Sequence, residues 1–375
     1  MVVSLHRRNM KPLHKFYFNM QMFLFPAMEE EIGEMTAKMQ EFVMLVELLK
    51  PGRFIPDALS GGVLGRPRRS RERLLRAFLL KAVCNFPTTD MLVDNLRTSP
   101  QLHRLCGWDF ACEIPSRATF CRAFGEFAEA GLGERLHEAM VAENYKDKIV
   151  GHASHDSTDI DGRERACRRK APTSPAKRKR GRPRKAEKAV VADNAAKRVE
   201  LQPQRTLAEN LADLPRGCDW GGKRDSKGKT TYWLGYKLHL SVADGGVPVA
   251  AVMTSASLHD SQAAIPLMQM AAERVTGLYD LADAAYDCKE IREFSESLGH
   301  VPLIDRNARG GEAGTFAPAE KIRYRGRGAV ERCNSELKDN YGARNVRVRG
   351  HLKVFLHLML GVVALTSKAL FNMLC

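Results

Sequence analysis

The feature that most limits how this chain can fold is a change of period near residue 147. Upstream, apolar residues recur at helical spacing; downstream, stretches of alternating apolar and polar residues take turns with helical ones. Ile149 to Ile160 reads as a strand with Asp156 part-way along it. Thr231 to Val242 alternates in the same way, and an Asp244-Gly245-Gly246 turn joins it to Val247 to Ser255 as a hairpin. A helix over roughly Ser261 to Val275 comes next, then a short apolar strand, Leu278 to Ala282, that ends at Asp283. Helix Lys289 to Leu298 and strand Val301 to Ile304 follow. The order predicts an α/β domain over 147–375 with a mixed sheet, hairpin-linked in its first half and crossover-linked later.

Before that boundary, residues 36–146 read as short helices. Ser70 caps one with Leu74, Leu75, Phe78 and Leu79 on its apolar stripe; Ser99-Pro100 and Ser116 open two others. Surface arginines Arg97, Arg104, Arg117 and Arg122 make the region compatible with a helix-turn-helix-like DNA-binding domain, or with a plain helical bundle. Residues 1–35 are an N-terminal extension of uncertain role. Their apolar run is broken by Asn19, Gln21 and Pro26, which argues against a signal peptide, and Met28 or Met35 is an alternative start. At the other end, Val354 to Leu374 is apolar but carries His357 and Lys368, and reads as a buried helix rather than a membrane span.

Charge is concentrated in an insert. Residues 161–200 hold 15 Lys or Arg against 5 Asp or Glu, in a chain of formal net charge +15. The insert, taken as 161–229, is too polar to pack and is expected to be disordered when free. Within it, Lys177 to Lys185 reads K-R-K-R-G-R-P-R-K and resembles an AT-hook. Arg182 between Gly181 and Pro183 suits the minor groove of A·T-rich DNA, and Lys179, Arg180 and Arg184 would meet phosphates. A generic polybasic linker would bind phosphates without preference. Either way the partner is a polyanion, nucleic acid before a membrane surface. Nine scattered cysteines, with no C-x2-C pair, point to reduced thiols rather than a zinc site.

Tyr324 to Lys338 sets out Tyr324, Arg327, Glu331 and Lys338 as Y-x2-R-x3-E-x6-K. In a helix Arg327, Glu331 and Lys338 share one face, as charge pairs on an ordinary surface helix also do. Three carboxylates then stand out: Asp156 on a strand, Asp283 at a strand end, and Glu331 on the following helix. Hard oxygen ligands suit Mg2+ or Mn2+. Two such ions per site would activate a water or 3′-hydroxyl for in-line phosphoryl transfer.

These residues carry a resemblance. H-D-S-T at Asp156, G-Y-K-L-H-L-S-V-A-D-G-G from Gly235, T-S-A-S-L-H-D-S-Q from Thr254, D-A-A-Y-D from Asp283 and the Y-R-E-K pattern resemble the DDE transposases of bacterial insertion sequences. The match runs from about residue 36 to the end. It implies a ribonuclease H-like mixed sheet flanked by helices, in which the first and fourth strands are neighbours, preceded by an all-α domain. It further implies Asp156, Asp283 and Glu331 as catalytic metal ligands, with Tyr324, Arg327 and Lys338 on DNA near the cleaved end. Terminal inverted repeats and target DNA would be the partners of a homodimer or larger multimer, cytoplasmic and nucleoid-associated, with no membrane role. Asp156 and Asp159 point to opposite faces of a strand, so both cannot be ligands; the resemblance selects Asp156. Glu336 should face away from Glu331, and His155, His239 and His259 read as structural or assisting. A nuclease of this fold that cuts without joining, and a non-enzymatic DNA-binding protein, are the alternatives.

Overall fold

Residues 13–55, 68–145, 148–167, 197–224, 228–306 and 316–373 are described by the computed structural model. Its centre is the strand expected at Ile149 to Ile160, which folds as two pieces: β1 (Ile149–Val150) and β2 (Ala153–Asp161). The break has its cause in the turn at Asp244, far away in sequence. Both carboxylate oxygens of Asp244 accept a backbone N–H, from Gly151 and from His152 at 2.7 Å each, and these donors are lost to a ladder.

The main sheet contains β2, β3 (Asp219–Arg224), β4 (Thr230–Ala243), β5 (Val247–Ser255), β7 (Tyr279–Ala282) and β8 (Val301–Ile304). Its spatial order is β5-β4-β2-β7-β8, with β3 paired to the first half of β4. Pairs among β2 to β5 are antiparallel; β2–β7 and β7–β8 are parallel. A parallel two-residue pairing of β1 with β6 (Thr276–Gly277) stands apart. The hairpin turn falls at Asp244–Gly246, as the sequence suggests, with Gly245 and Gly246 at φ 78° and 77°, where a side chain would be strained.

Upstream lie α1 (Phe25–Ile32), α2 (Ala37–Leu49), α3 (Arg71–Val83), α4 (Thr89–Thr98), α5 (Pro100–Leu105), α6 (Arg117–Glu129) and α7 (Leu132–Tyr145). Ser70 and Ser99 accept from the backbone N–H of Arg73 and Leu102, so both caps are real. Ser116 occupies the N-cap of α6 without a side-chain cap bond. The N-terminal extension is not a detached tail over its described part. Met20 and Phe25 are buried, and the Phe16 ring stacks on Phe371 at 6.1 Å.

Two differences from the sequence reading matter. Part of the basic insert is folded: α8 (Arg198–Leu201), α9 (Leu207–Asp213) and β3 all lie inside 161–229. The AT-hook-like residues Lys179, Arg180, Arg182 and Arg184 lie outside the described residues. Second, the boundary near 147 is not a packing boundary. One continuous cluster of buried apolar residues runs from the helices into the sheet. The remaining helices, α10 (Ser261–Ala272), α11 (Lys289–Ser297), α12 (Pro318–Tyr324), α13 (Gly328–Asn340) and α14 (His351–Asn372), complete the fold. α14 joins the halves, packing on α2, α3, α6, α7 and β5. It is long and apolar enough to cross a membrane, yet 83% of its most apolar window is buried in the protein. At about 1.5–3 kcal/mol for each large apolar side chain removed from water, that burial accounts for its composition without a bilayer.

Candidate active site

β2 and β7 run parallel in the register Ala153↔Asp280, Ser154↔Leu281, His155↔Ala282. The next pair in that register is Asp156 and Asp283, and residues paired across a sheet share a face. Two carboxylates far apart in sequence are thereby set side by side. The consequence is electrostatic: burial and then the neighbouring Asp283 push the Asp156 carboxyl up to about 6, against opposing pulls from the Ser157 backbone, Lys223 and Arg327. Asp283 also caps the turn Ala284–Tyr286, its Oδ1 accepting from the Ala285 N–H at 2.9 Å.

The signature segment reaches this pair through Gly326. A Cβ there would lie 2.7 Å from the His152 ring and 3.2 Å from Leu281. Only a glycine lets the turn Arg325–Arg327 settle onto β2 and β7. Tyr324 then donates to the Ala282 carbonyl at 3.3 Å, next to Asp283, and its ring lies tilted against Phe316 at 4.7 Å. Arg327 lies over the Tyr324 ring and pairs with Glu331 at 2.5 Å. Partial burial opposes its charge, but Glu331, Tyr324, Asp156 and Asp283 together hold the guanidinium more firmly protonated than usual. Arg327 is therefore the cation that all three carboxylates feel.

α13 presents one face to the sheet. Asn334, seven residues after Arg327, donates through Nδ2 to Asp156 Oδ2 at 3.2 Å, and its buried Oδ1 finds no partner among the described residues. Lys338 pairs with Asp159 at 2.9 Å. Burial would raise the Asp159 carboxyl, but the Lys338 hydrogen bond and charge bring it below the usual value. Glu336 turns away and pairs with Lys368, as its position on the helix requires. Tyr286 is fully buried, and its hydroxyl finds no partner among the described residues. Burial, then Asp260, Asp156 and Asp283, drive its proton affinity well above the ordinary tyrosine value.

The structure thus joins Asp156, Asp283, Arg327 and Tyr324 in one place. Glu331, 53% exposed, stands at the rim on Arg327, and among the described residues no three acidic, His or Cys side chains converge as a ready-made metal cluster. Asp287 pairs with Arg292. The histidines divide: His155 and His239 are buried on Asp280 and Thr254, while exposed His259 bonds Ser261. Sequence reasoning missed Asn334, Tyr286 and Lys223. Asn334 was findable, because it lies on the Arg327–Glu331–Lys338 face.

With this geometry in hand, comparison with known families is informative. A family described as Transposase DDE domain matches residues 152–367, and one described as Transposase domain (DUF772) matches residues 32–126. No curated protein and no solved structure matches. The chain belongs to the Transposase DDE domain family. It is a DDE transposase of an insertion sequence, an enzyme of DNA transposition whose partner is DNA.

Proposed function

We propose that this chain binds the terminal inverted repeats of its element, cleaves the ends and joins the freed 3′-hydroxyl to target DNA on a ribonuclease H-like sheet. The observation that carries this reading is the Asp156–Asp283 pair: two like charges in adjacent register, one of them raised to about 6 by burial and by the other. Such a pair calls for a cation. The donors are hard carboxylate oxygens, which fit Mg2+ or Mn2+ better than a thiolate-seeking metal. Asp156 and Asp283 would hold it, with Glu331 as the third ligand. When bound, two such ions supply Lewis-acid activation of the attacking hydroxyl and stabilise the leaving oxygen.

The chain's own groups do the positioning. Asn334 fixes one oxygen of Asp156 by its 3.2 Å donation. Arg327, firmly charged and beside Glu331, is placed to meet a phosphate with its planar fork of donors. Tyr324 props the turn against the Ala282 carbonyl, and Lys338 extends the cationic face along α13. The helices over 36–146 would recognise the repeats, and the K-R-G-R-P-R-K stretch would hold flanking A·T-rich DNA. A multimer on paired ends in the bacterial cytoplasm, at the nucleoid, is the matching assembly.

The test uses the full chain, a supercoiled plasmid carrying the element ends, and Mg2+ or Mn2+. Asp156→Asn, Asp283→Asn and Glu331→Gln should each lower cleavage and joining by more than about 100-fold, since losing even an outer hydrogen-bond partner of a metal ligand costs about 10- to 100-fold. Binding of the ends without divalent ion should be unchanged. Unchanged cleavage in these variants removes the triad; cutting with no joined product leaves only a nuclease.

A further inference from the structure

Apart from the charge of Lys223, the β3–β4 ribbon has no role in the site as described. It extends beyond the end of β2, which stops pairing at Asp161↔Gly235, and is held by the register Trp220↔Leu234, Gly222↔Tyr232 and Arg224↔Thr230. Trp220 and Tyr232 therefore share one face, and they are 57% and 69% exposed. Large aromatic rings left in water at adjacent positions need an explanation. The Tyr232 ring lies over Gly222: a Cβ there would be 3.1 Å from two ring carbons and would push the ring outward by a few tenths of an ångström. Lys223, paired with Thr231, lies on the opposite face. β4 pairs with β2 from Asp161↔Gly235 through Asp156↔Leu240, so the ribbon is continuous with the strand that bears Asp156, and the Lys223 charge is felt at both Asp156 and Asp159. By sequence, residues 221–229 carry Lys223, Arg224, Lys227 and Lys229 against Asp225 alone.

We propose that this ribbon contacts the DNA end: Trp220 and Tyr232 stack on unpaired bases, while Lys223 meets the backbone of the strand entering the site. The partner is DNA because the ribbon carries exposed rings on one face and Lys223 on the other, in continuity with the strand that bears the phosphoryl-transfer carboxylates, and the inference rests on that reading of the carboxylates. The bases must be unpaired because a duplex hides their flat faces in its own stack, whereas every exposed base offers a face to a ring. Stacking of this kind is tolerant of sequence. Recognition of the repeats stays with other parts of the chain.

The experiment measures binding of the full chain, without divalent ion, to two oligonucleotides of the same element end, one fully paired and one with unpaired terminal bases. Trp220→Ala and Tyr232→Ala should each weaken binding of the unpaired end by about 5- to 100-fold, the range of one lost base–aromatic stack. Binding of the paired end should change less than about twofold, and Trp220→Phe and Tyr232→Phe should restore the unpaired-end affinity. Lys223→Met should weaken both ends and reduce the salt dependence by about one phosphate contact. Equal losses on both ends, no loss on either, or a change only in oligomeric state would overturn the proposal. Cleavage that survives Asp156→Asn would sink the carboxylate reading instead, and the binding result is independent of it.

Discussion

Strand β7 carries one aspartate and is followed at once by another, and the protein treats the two in opposite ways. Asp280 is 2% exposed and is met from three sides: by His155 Nε2 at 3.0 Å, His300 Nδ1 at 2.9 Å and the Ser295 hydroxyl at 2.6 Å. Burial alone would raise its carboxyl. The two histidines reverse that and hold it well below the usual carboxylate range. Asp283, three residues on and across the sheet, is placed instead beside Asp156, and the pair is left with a repulsion that Asn334 and Arg327 only partly relieve. The difference separates a carboxylate compensated for folding from carboxylates kept in need of a cation. Perturbed groups of both kinds occur in proteins, so the direction of the perturbation and the missing partner distinguish them.

The largest expected effects test this contrast directly. Asp280→Asn should destabilise the fold by about 3–5 kcal/mol, because it strands buried histidines that had a charged partner. Asp283→Asn should leave stability unchanged or raise it, since it removes a repulsion. Urea denaturation of both variants in EDTA decides the matter; equal losses would erase the distinction. The pH dependence follows in sign. Asp280 has a lowered folded value, so its contribution is present above the ordinary carboxylate value near 3.8 and is lost as acid titrates it. His300 is raised by Asp280, so its contribution is full below 6.5 and fades as pH climbs through the folded value. Asp156, raised to about 6, works the other way: its ionisation penalises the folded state, fully so above about 6. Asp156→Asn should therefore gain about 1–2 kcal/mol over the parent at pH 7, discounted for solvent screening, and nothing below pH 4.

A smaller and more specific effect belongs to Asn334. Asn334→Leu keeps the branched shape in a larger side chain and removes the donor to Asp156, so end joining should fall about 10- to 100-fold. If Asn334 positions Asp156, Mn2+ binding followed by electron paramagnetic resonance should weaken in parallel, and Asn334→Gln should recover part of it. Lost activity with unaltered Mn2+ binding would make Asn334 a packing residue only.

Much of the sheet was legible because alternation and turn chemistry act locally. The strand Val301 to Ile304, the turn at Asp244 and the shared face of Arg327, Glu331 and Lys338 follow from period and glycine placement alone. The convergence of Asp156 with Asp283 was not local; it depends on the β2–β7 register, and the family resemblance supplied what periodicity could not. β3 went unread because Asp219–Arg224, D-W-G-G-K-R, has the glycines and charges of a loop. Its pairing with β4 is set by partners: the Trp233 and Tyr232 rings occupy the space above Gly221 and Gly222. The interruption at Gly151 was equally hidden, since its cause, Asp244, lies in the distant β4–β5 turn. The Asp280 centre escaped notice for the same reason, with Ser295 and His300 brought in by a later helix and strand.

The smallest effect concerns Lys338, and it asks which side of the contrast this residue belongs to. Its partner Asp159 is 48% exposed, and the amine and carboxylate are 2.9 Å apart. A pair this open to water contributes about 0–1 kcal/mol, so Lys338→Met should barely move the denaturation midpoint. The cation is nonetheless on the face of α13 that carries Glu331 and Asn334, where a DNA strand approaching Asp156 would pass. If it contacts a phosphate there, Lys338→Met should lower affinity alike for specific and unrelated DNA and reduce the slope of log affinity against log salt by about one. A variant that loses stability but keeps the parental salt slope would place Lys338 with Asp280, among the residues that serve the fold. The converse result would place it with Arg327, a cation whose intramolecular partner holds it in position until a phosphate takes over.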